Sequence, residues 1–465
     1  MTIDRRRLLA SAVAGGAAAL LPWRPAAAAH SDAADEPAGA PCAEAAPASL
    51  AGFKGTASWQ RIQAEFDLAP GWIHLGCFYL VSQPRMVREA VERYSRALDA
   101  NPLSIEELFE PTHADDNLAT RSRLALAGYL GARREEIALT PNTTTGLALL
   151  YNGLRIRADQ EILTTEHDHY VHHESIRYAA ERSGAAVRYV ALHDFPAGAA
   201  RANADEMVER LRRAITPKTR AVGLTWVHSA TGLKLPIPAL AAVVAQANAG
   251  RADADRCLLI VDGVHGFGVE NEAAATLGAD FFVASCHKWL FAPRGTGLVW
   301  GRAEAWPAIR PTIPNFDPDG GPAFDAWLER SPLPPTRAAF VSPGGFTAYE
   351  HQFAIADAIE FHRLIGKARV TSRIHKLNSR IRRGLAEIRG VTVHTPAETA
   401  LSAGIVCFEV AGLAPDAVVA RLAERRIHAT ASPYKHSFAR LAAGLMNREE
   451  EIDAAVAAVR QLARA

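Results

Sequence analysis

Apolar runs of strand length recur through the middle of the chain, and most close on a cluster of polar residues. They begin at Ile137 and Ile162 and continue over residues 185–192, 220–226, 258–261 and 281–284. Stretches with apolar residues at helical spacing separate them. Strands alternating with helices fold as βαβ units around a mostly parallel sheet covered on both faces. Two earlier stretches, 86–100 and 117–130, carry helical spacing and read as packing helices. Residues 310–335 are rich in Pro, Asp and Gly and read as a long loop that covers a site or builds a subunit interface. Beyond it a helix over 349–364 and a second helix precede strands at 390–393 and 405–410 and helices at 415–424 and 449–462. The predicted fold class is α/β. A large domain with its N-terminal segment occupies residues 56–335, and a smaller α+β domain occupies 336–465.

The start of the chain follows a different pattern. Asp4-Arg5-Arg6-Arg7-Leu8-Leu9 places paired arginines before an Ala-, Gly- and Leu-rich stretch ending near Leu21, and Pro25 to Ala29 offers A-x-A cleavage sites. Residues 1–29 therefore read as a twin-arginine (Tat) export signal. The rival reading is a membrane anchor, but this apolar run is short and rich in Gly and Ala for a span. No later stretch has the length for one. Residues 30–55 are Ala/Pro-rich, without periodicity, and read as a disordered leader. The expected destination is periplasmic or secreted, reached through the Tat machinery and without a stable membrane anchor.

Charge narrows the partners. A formal net charge of +1, with 22% charged residues, leaves no basic field for nucleic acid. The five cysteines, Cys42, Cys77, Cys257, Cys286 and Cys407, are an odd number without close pairing. Export permits disulfides, but the apolar strand contexts of Cys257 and Cys407 mark those two as buried thiols.

Two strand ends carry candidate chemistry. Ser285-Cys286-His287-Lys288 follows the run at 281–284, and Asp262 closes the run at 258–261. In open α/β sheets ligands bind at the carboxyl ends of strands. An amine there can condense with an aldehyde cofactor, and a carboxylate can pair with a pyridine nitrogen. Alone, Lys288 reads as a surface lysine and Asp262 as a helix cap; together they have the spacing that pyridoxal 5′-phosphate (PLP) chemistry needs. Thr143 and Thr144 open a helix after the strand at Ile137, where free N–H groups bind phosphate or threonine simply caps. The histidine-rich run His167 to His173 reads either as a metal site or as the source of a ring that stacks on a cofactor.

Val261-Asp262-Gly263-Val264-His265 with Ser285-Cys286-His287-Lys288 resembles the class V aminotransferase family, fold-type I PLP enzymes that include cysteine desulfurases. His287-Lys288-Trp289 with Ala292-Pro293-Arg294-Gly295-Thr296 resembles its isopenicillin N epimerase-like branch, and the resemblance covers roughly residues 70 to 460. It implies a PLP cofactor held by Lys288, with Asp262 at the ring nitrogen and His265 at the phenolic oxygen. The phosphate would be bound by Thr143, Thr144, Ser285 and His287. His169 would be the ring-stacking residue, with Tyr170 as the alternative. Arg440 would hold the substrate α-carboxylate. Thr347 would reach a neighbouring subunit's phosphate in a homodimer. Trp226 stands where relatives carry His, and Trp72 to Tyr79 lacks the Asn-rich form of the substrate-side strand.

The expected activity is aminotransferase-type chemistry on an amino acid or an amino-acid-containing metabolite. An epimerase or a C–S/β-lyase is the alternative. Cysteine desulfurase is disfavoured, because no cysteine lies on a loop resembling the persulfide-forming position. The competing class is a non-enzymatic periplasmic metal-binding protein using His167 to His173. No metal site is assigned in the preferred reading.

Overall fold

The computed structural model describes residues 57–103, 118–195, 198–315 and 321–464. The stretches read above as an export signal, 1–29, and a leader, 30–55, lie outside these. Thirteen strands are present among the described residues: β1 (Ile73–His74), β2 (Ile137–Thr140), β3 (Glu161–Thr165), β4 (Ala186–Val190), β5 (Thr219–Thr225), β6 (Leu258–Asp262), β7 (Phe281–Ser285), β8 (Gly297–Gly301), β9 (Val391–Val393), β10 (Val406–Val410), β11 (Ile427–His428), β12 (Thr430–Ala431) and β13 (Ala439–Leu441). Seven form the main sheet, in the order β2-β8-β7-β6-β5-β3-β4.

The β7-β6-β5-β3-β4 block is parallel, whereas β8 runs antiparallel to both of its neighbours. All residues of β3, β5, β6 and β7 are buried, as two covered faces require; edge strand β4 is half-exposed. The parallel register brings Thr165, Thr225, Asp262 and Ser285 to one edge of the sheet. This edge supports the functional site.

The smaller sheet is antiparallel, in the order β12-β13-β10-β9. Its core gathers Leu377, Ile381, Phe408, Leu422, Ile452 and Val459, and it also takes in Leu75 from far upstream. The Lys367–Ala386 helix serves both cores. Val370 and Ile374 belong to the core of the main sheet, and Leu377, Ile381 and Leu385 to that of the small one.

Several elements differ from expectation. The loop expected over 310–335 contains a helix, Gly321–Glu329. The helix expected over 349–364 is two helices, Tyr349–Phe353 and Ile355–Ile365, joined at Ala354. Ile73–His74 pairs in parallel with Ile427–His428, so the entry segment is bonded to the C-terminal part of the chain.

The turn after β7 is tightly determined. The N–H of Phe291 donates to the Lys288 carbonyl at 3.0 Å, and Ala292 N–H to the Cys286 carbonyl at 3.1 Å. Phe291 takes a positive φ of 62° although it is fully buried. Such a conformation costs about 1–3 kcal/mol in a non-glycine residue and persists only where the surroundings over-determine it. Trp289 packs against Gly268, where a Cβ would meet the Trp289 backbone at 2.7 Å. Gly263 is likewise compelled, because a Cβ there would lie 1.9 Å from the Phe282 ring.

Candidate active site

A cavity of about 370 Å³ opens at the carboxyl edge of the parallel strands. The predicted residues Thr143, Thr144, His169, Asp262, His265, Ser285, His287, Lys288 and Arg440 all line it. They come from strand ends, helix starts and the small sheet, separated by up to 297 positions in sequence.

Asp262 ends β6 and is 2% exposed. One oxygen accepts the Val264 N–H at 3.1 Å. Burial pushes its pKa up to about 7, against the Val264 bond and the Lys288 charge, which draw it down. No arginine or lysine forms an ion pair with it among the described residues. Lys288 lies beyond the end of the neighbouring strand. Enclosure lowers its ammonium to about 8, opposed by Asp262 and reinforced by Arg440. An amine so placed has a substantial neutral fraction near neutral pH, as a nucleophile or base requires.

The helix Thr143–Gly153 points its first turn into the cavity. Asn142, not threonine, is its cap: the side chain accepts the Thr145 N–H at 2.9 Å. The Ser285 hydroxyl accepts the Thr143 N–H at 2.8 Å and lies 2.8 Å from the Thr143 hydroxyl. Thr144 stands exposed on the same turn. His287 lies across from it, with Nδ1 3.3 Å from the Thr296 carbonyl. A helix N-terminus with hydroxyls around it is a phosphate-binding arrangement.

His169 caps the helix Tyr170–Ser183, its Nδ1 accepting the Val171 N–H at 3.3 Å. Burial lowers its pKa, and the charges of Lys288 and Arg440 lower it further. Tyr170 is 65% exposed and does not line the cavity. His265 is buried edge-on to Phe78, at 5.8 Å, and its Nδ1 has no hydrogen-bond partner among the described residues.

Arg440, on β13, is held on three sides. Nε donates to the Thr430 hydroxyl at 3.1 Å, Nη1 to the Ser229 carbonyl at 3.0 Å, and Nη2 to the Ala431 carbonyl at 2.8 Å. Its guanidinium also lies over the Phe78 ring at 4.6 Å. A guanidinium has five N–H donors, so these bonds leave two, the number a carboxylate accepts from an arginine fork.

The cavity also contains Phe78, Asn142, Thr225, His228, Ser229 and Tyr434, to which the sequence alone assigns no site role, and His167, the first histidine of the 167–173 run. Tyr434 bonds the Ser229 hydroxyl at 2.7 Å and stands edge-on to His169 at 5.9 Å. Burial raises its phenol to about 12, so it stays protonated. Strand-end position was the available signal for Thr225, His228 and Ser229; nothing local marks Tyr434. Trp226 does not reach the cavity. It packs edge-on to Phe282 at 6.0 Å beneath the site, where Gly266 leaves it room.

Thr347 lines a separate cleft of about 180 Å³ with Pro141, Gly295 and the exposed Phe346. The histidines of the 167–173 run point in different directions. His172 meets the Tyr151 hydroxyl at 2.7 Å, and His173 meets the Thr165 carbonyl at 2.8 Å. Among the described residues no three His, Cys, Asp or Glu side chains converge as metal ligands.

The residues present fit PLP. A buried carboxylate without a basic contact suits a protonated pyridine nitrogen, the enclosed amine suits the aldehyde, and the helix start suits the phosphate. The sequence matches the family described as Aminotransferase class-V over residues 82–454. The chain belongs to this family, and its cofactor is PLP. It is 28% identical to the isopenicillin N epimerase of Streptomyces clavuligerus, over 85% of this chain and 96% of that protein. It is also 28% identical to the isopenicillin N epimerase of Amycolatopsis lactamdurans, over 76% and 85%. A probable cysteine desulfurase of Vibrio cholerae is 24% identical over 83% and 92%. Among solved structures, a cysteine desulfurase from Thermococcus onnurineus superposes with a TM-score of 0.72 at 21% identity, covering 87% of this chain and 98% of that one. A cystine C–S lyase bound to cysteine persulfide gives 0.71 at 22%, covering 84% and 98%. The fold is that of the fold-type I PLP enzymes.

The raised pKa of Asp262 has a consequence for stability. A carboxyl whose folded pKa lies above its unfolded value near 3.8 contributes fully below that value and loses the contribution as pH rises through about 7. Asp262→Asn should therefore raise the Tm of the cofactor-free protein at pH 8 and leave it close to wild type near pH 4, while weakening PLP binding. Calorimetry at the two pH values checks this; equal Tm differences at both would contradict it.

Proposed function

We propose that this chain is an exported PLP-dependent enzyme that breaks the Cα–H bond of an α-amino acid, or of a metabolite containing one, in aminotransferase-type chemistry. The observation that carries this reading is Arg440, fixed by three hydrogen bonds with two donors left over at the cavity wall. Bound PLP supplies an aldehyde for the substrate amine and an electron sink for the pair released at the α-carbon.

The protein groups do the rest. The phosphate would be held by the first turn at Thr143 and Thr144 with Ser285 and His287, and the ring nitrogen by Asp262. Arg440 holds the α-carboxylate and so sets which substituent of the α-carbon faces Lys288. The amine of Lys288, at about 8, accepts the α-proton. His169 and Tyr434, edge-on to one another at 5.9 Å, line the same cavity.

Epimerisation is the second reading. It is favoured by the relatives described as isopenicillin N epimerases and by Tyr434, a phenol kept protonated within the cavity. Release of a 2-oxo acid distinguishes transamination from inversion at the α-carbon. Among the described residues nothing favours desulfuration: Cys77, Cys257, Cys286 and Cys407 are all buried, and Cys42 lies outside the described residues. Burial raises each thiol, to about 12 for Cys77, Cys257 and Cys407, whereas a thiolate nucleophile needs a lowered value.

A homodimer is part of the proposal. The helix Gly321–Glu329 exposes Phe324, Trp327 and Leu328, and Phe346 is 83% exposed beside Thr347. Apolar surface of this kind suits a second copy. Export to the periplasm or beyond is proposed from Arg5 and Arg6 ahead of the Ala/Leu run. The substrate would then be an amino-acid-containing compound met outside the cytoplasm.

Loss of a charge-assisted bidentate contact costs about 1.5–3 kcal/mol, roughly 10- to 150-fold in binding. Arg440→Ala should retain PLP and its absorbance but lose that much affinity for α-amino carboxylates, with decarboxylated amines little affected. Spectral titration against matched pairs measures this. Equal weakening toward both sets would make Arg440 structural and remove the main support for an amino-acid substrate.

Export has its own test. Arg5→Lys combined with Arg6→Lys should leave the precursor in the cytoplasm, folded and loaded with PLP. Export of that double variant at the wild-type rate, followed by fractionation and immunoblotting, would show that the Tat reading is wrong.

A further inference from the structure

A second carboxylate is buried beneath the site, in the turn that follows β3. Asp168 is 3% exposed and accepts four hydrogen bonds. Its Oδ2 accepts from the Thr164 hydroxyl at 2.8 Å, the Thr165 N–H at 3.0 Å and the Thr165 hydroxyl at 2.8 Å. Its Oδ1 accepts from the Thr225 N–H at 2.9 Å. Thr225 is the register partner of Asp262 across β5 and β6. Asp168 is therefore bonded to the strand next to Asp262, at the residue beside it.

Among the described residues no lysine or arginine forms an ion pair with either carboxylate. The nearest basic groups to Asp168 are the rings of His228 at 3.9 Å and His172 at 4.0 Å. Burial lowers both imidazoles to about 4, so they are neutral at working pH. Burial also pushes Asp168 upward. Its hydrogen bonds, and the two histidines once they are protonated in acid, outweigh this and hold it well below the usual carboxylate range. The other titratable groups facing the pair are Lys288 and Tyr434 across the cavity, Tyr151 on the helix behind, and His173. Two neighbouring buried carboxylates with only neutral imidazoles at contact range are an expensive arrangement, and a cationic group above Asp262 would relieve it.

We propose that Asp168 is a positioning residue for the cofactor ring: its fixed negative charge, one strand away from Asp262, adds to that of Asp262 and keeps the pyridine nitrogen protonated. This rests on the assignment of the cavity to PLP. The competing account makes Asp168 a turn cap for Thr164 and Thr165, a role that needs its hydrogen bonds and not its charge. The two accounts differ in how the ring nitrogen titrates.

The test is ¹⁵N NMR of PLP labelled at the ring nitrogen, bound to the full-length protein and followed against pH. In the wild type the nitrogen should stay protonated to roughly pH 9 or above. Asp168→Asn should move its titration down by about one pH unit or more. Thr164→Val removes one hydrogen bond and leaves the charge, so its titration should match the wild type. Should the Asn variant not fold, Asp168→Ser removes the charge with a smaller side chain that can still accept from the Thr165 N–H, and it should reproduce the downward shift. A folded Asp168→Asn or Asp168→Ser protein that titrates like the wild type overturns the proposal. So does a wild type whose ring nitrogen loses its proton below that pH. A wild type that takes up no PLP would instead overturn the cofactor assignment, and this inference with it.

Discussion

A carboxylate buried at the end of a central strand requires a positive partner, and much of this site is arranged around that requirement. Asp262 sits where β6 meets the cavity, bonded to the Val264 N–H and, among the described residues, without an ion-pair partner. Its hydration is lost, and its pKa rises toward neutrality as a result. In the proposed site the ring nitrogen of PLP would supply the missing charge. Stability of the empty fold and affinity for the cofactor would then be opposed at one residue, as is common where a protein is built to hold a charged group.

The lysine is constrained in a complementary way. It follows β7 by a turn whose backbone is held by bonds from Phe291 and Ala292 and by the left-handed conformation of Phe291. Loop mobility would blur the position of an amine that has to meet one carbon atom. Here the turn is buried on Trp289, Leu290 and Phe291, each fully covered. Arg440 is restrained in the same way: three hydrogen bonds go to the protein, so little rotamer freedom would be lost if its remaining donors bound a carboxylate. Rigid strands and immobilised side chains place the chemistry.

Much of this was legible in the sequence because the central strands are buried on both faces. Continuous apolar runs mark such strands, and the polar residue that ends each run marks the functional edge; Asp262 and the Ser285 to Lys288 cluster stand out for that reason. What was hidden depended on distant partners. Ile73–His74 is too short to declare itself and exists as a strand only through Ile427–His428. The Gly321–Glu329 helix begins with Gly and Pro, which read as loop residues, although Pro is compatible with a first turn. Thr143 and Thr144 read as possible caps because threonine can cap, yet Asn142 does so through its side-chain carbonyl oxygen. Tyr434 enters the site from the small sheet's loop, a placement with no local pattern. Asp168 carried no sequence signal beyond its strand-end position, since its importance lies in being next to a strand 57 residues away.

The arrangement of the site makes the amine of Lys288 the group that would carry the cofactor. Borohydride reduction of the yellow holoenzyme, followed by proteolysis and mass spectrometry of the labelled peptide, tests it most directly. The predicted result is a pyridoxyl group on Lys288, with no visible chromophore and no label in Lys288→Ala. A pyridoxyl group on any other lysine, or an unchanged chromophore in that variant, would contradict the account.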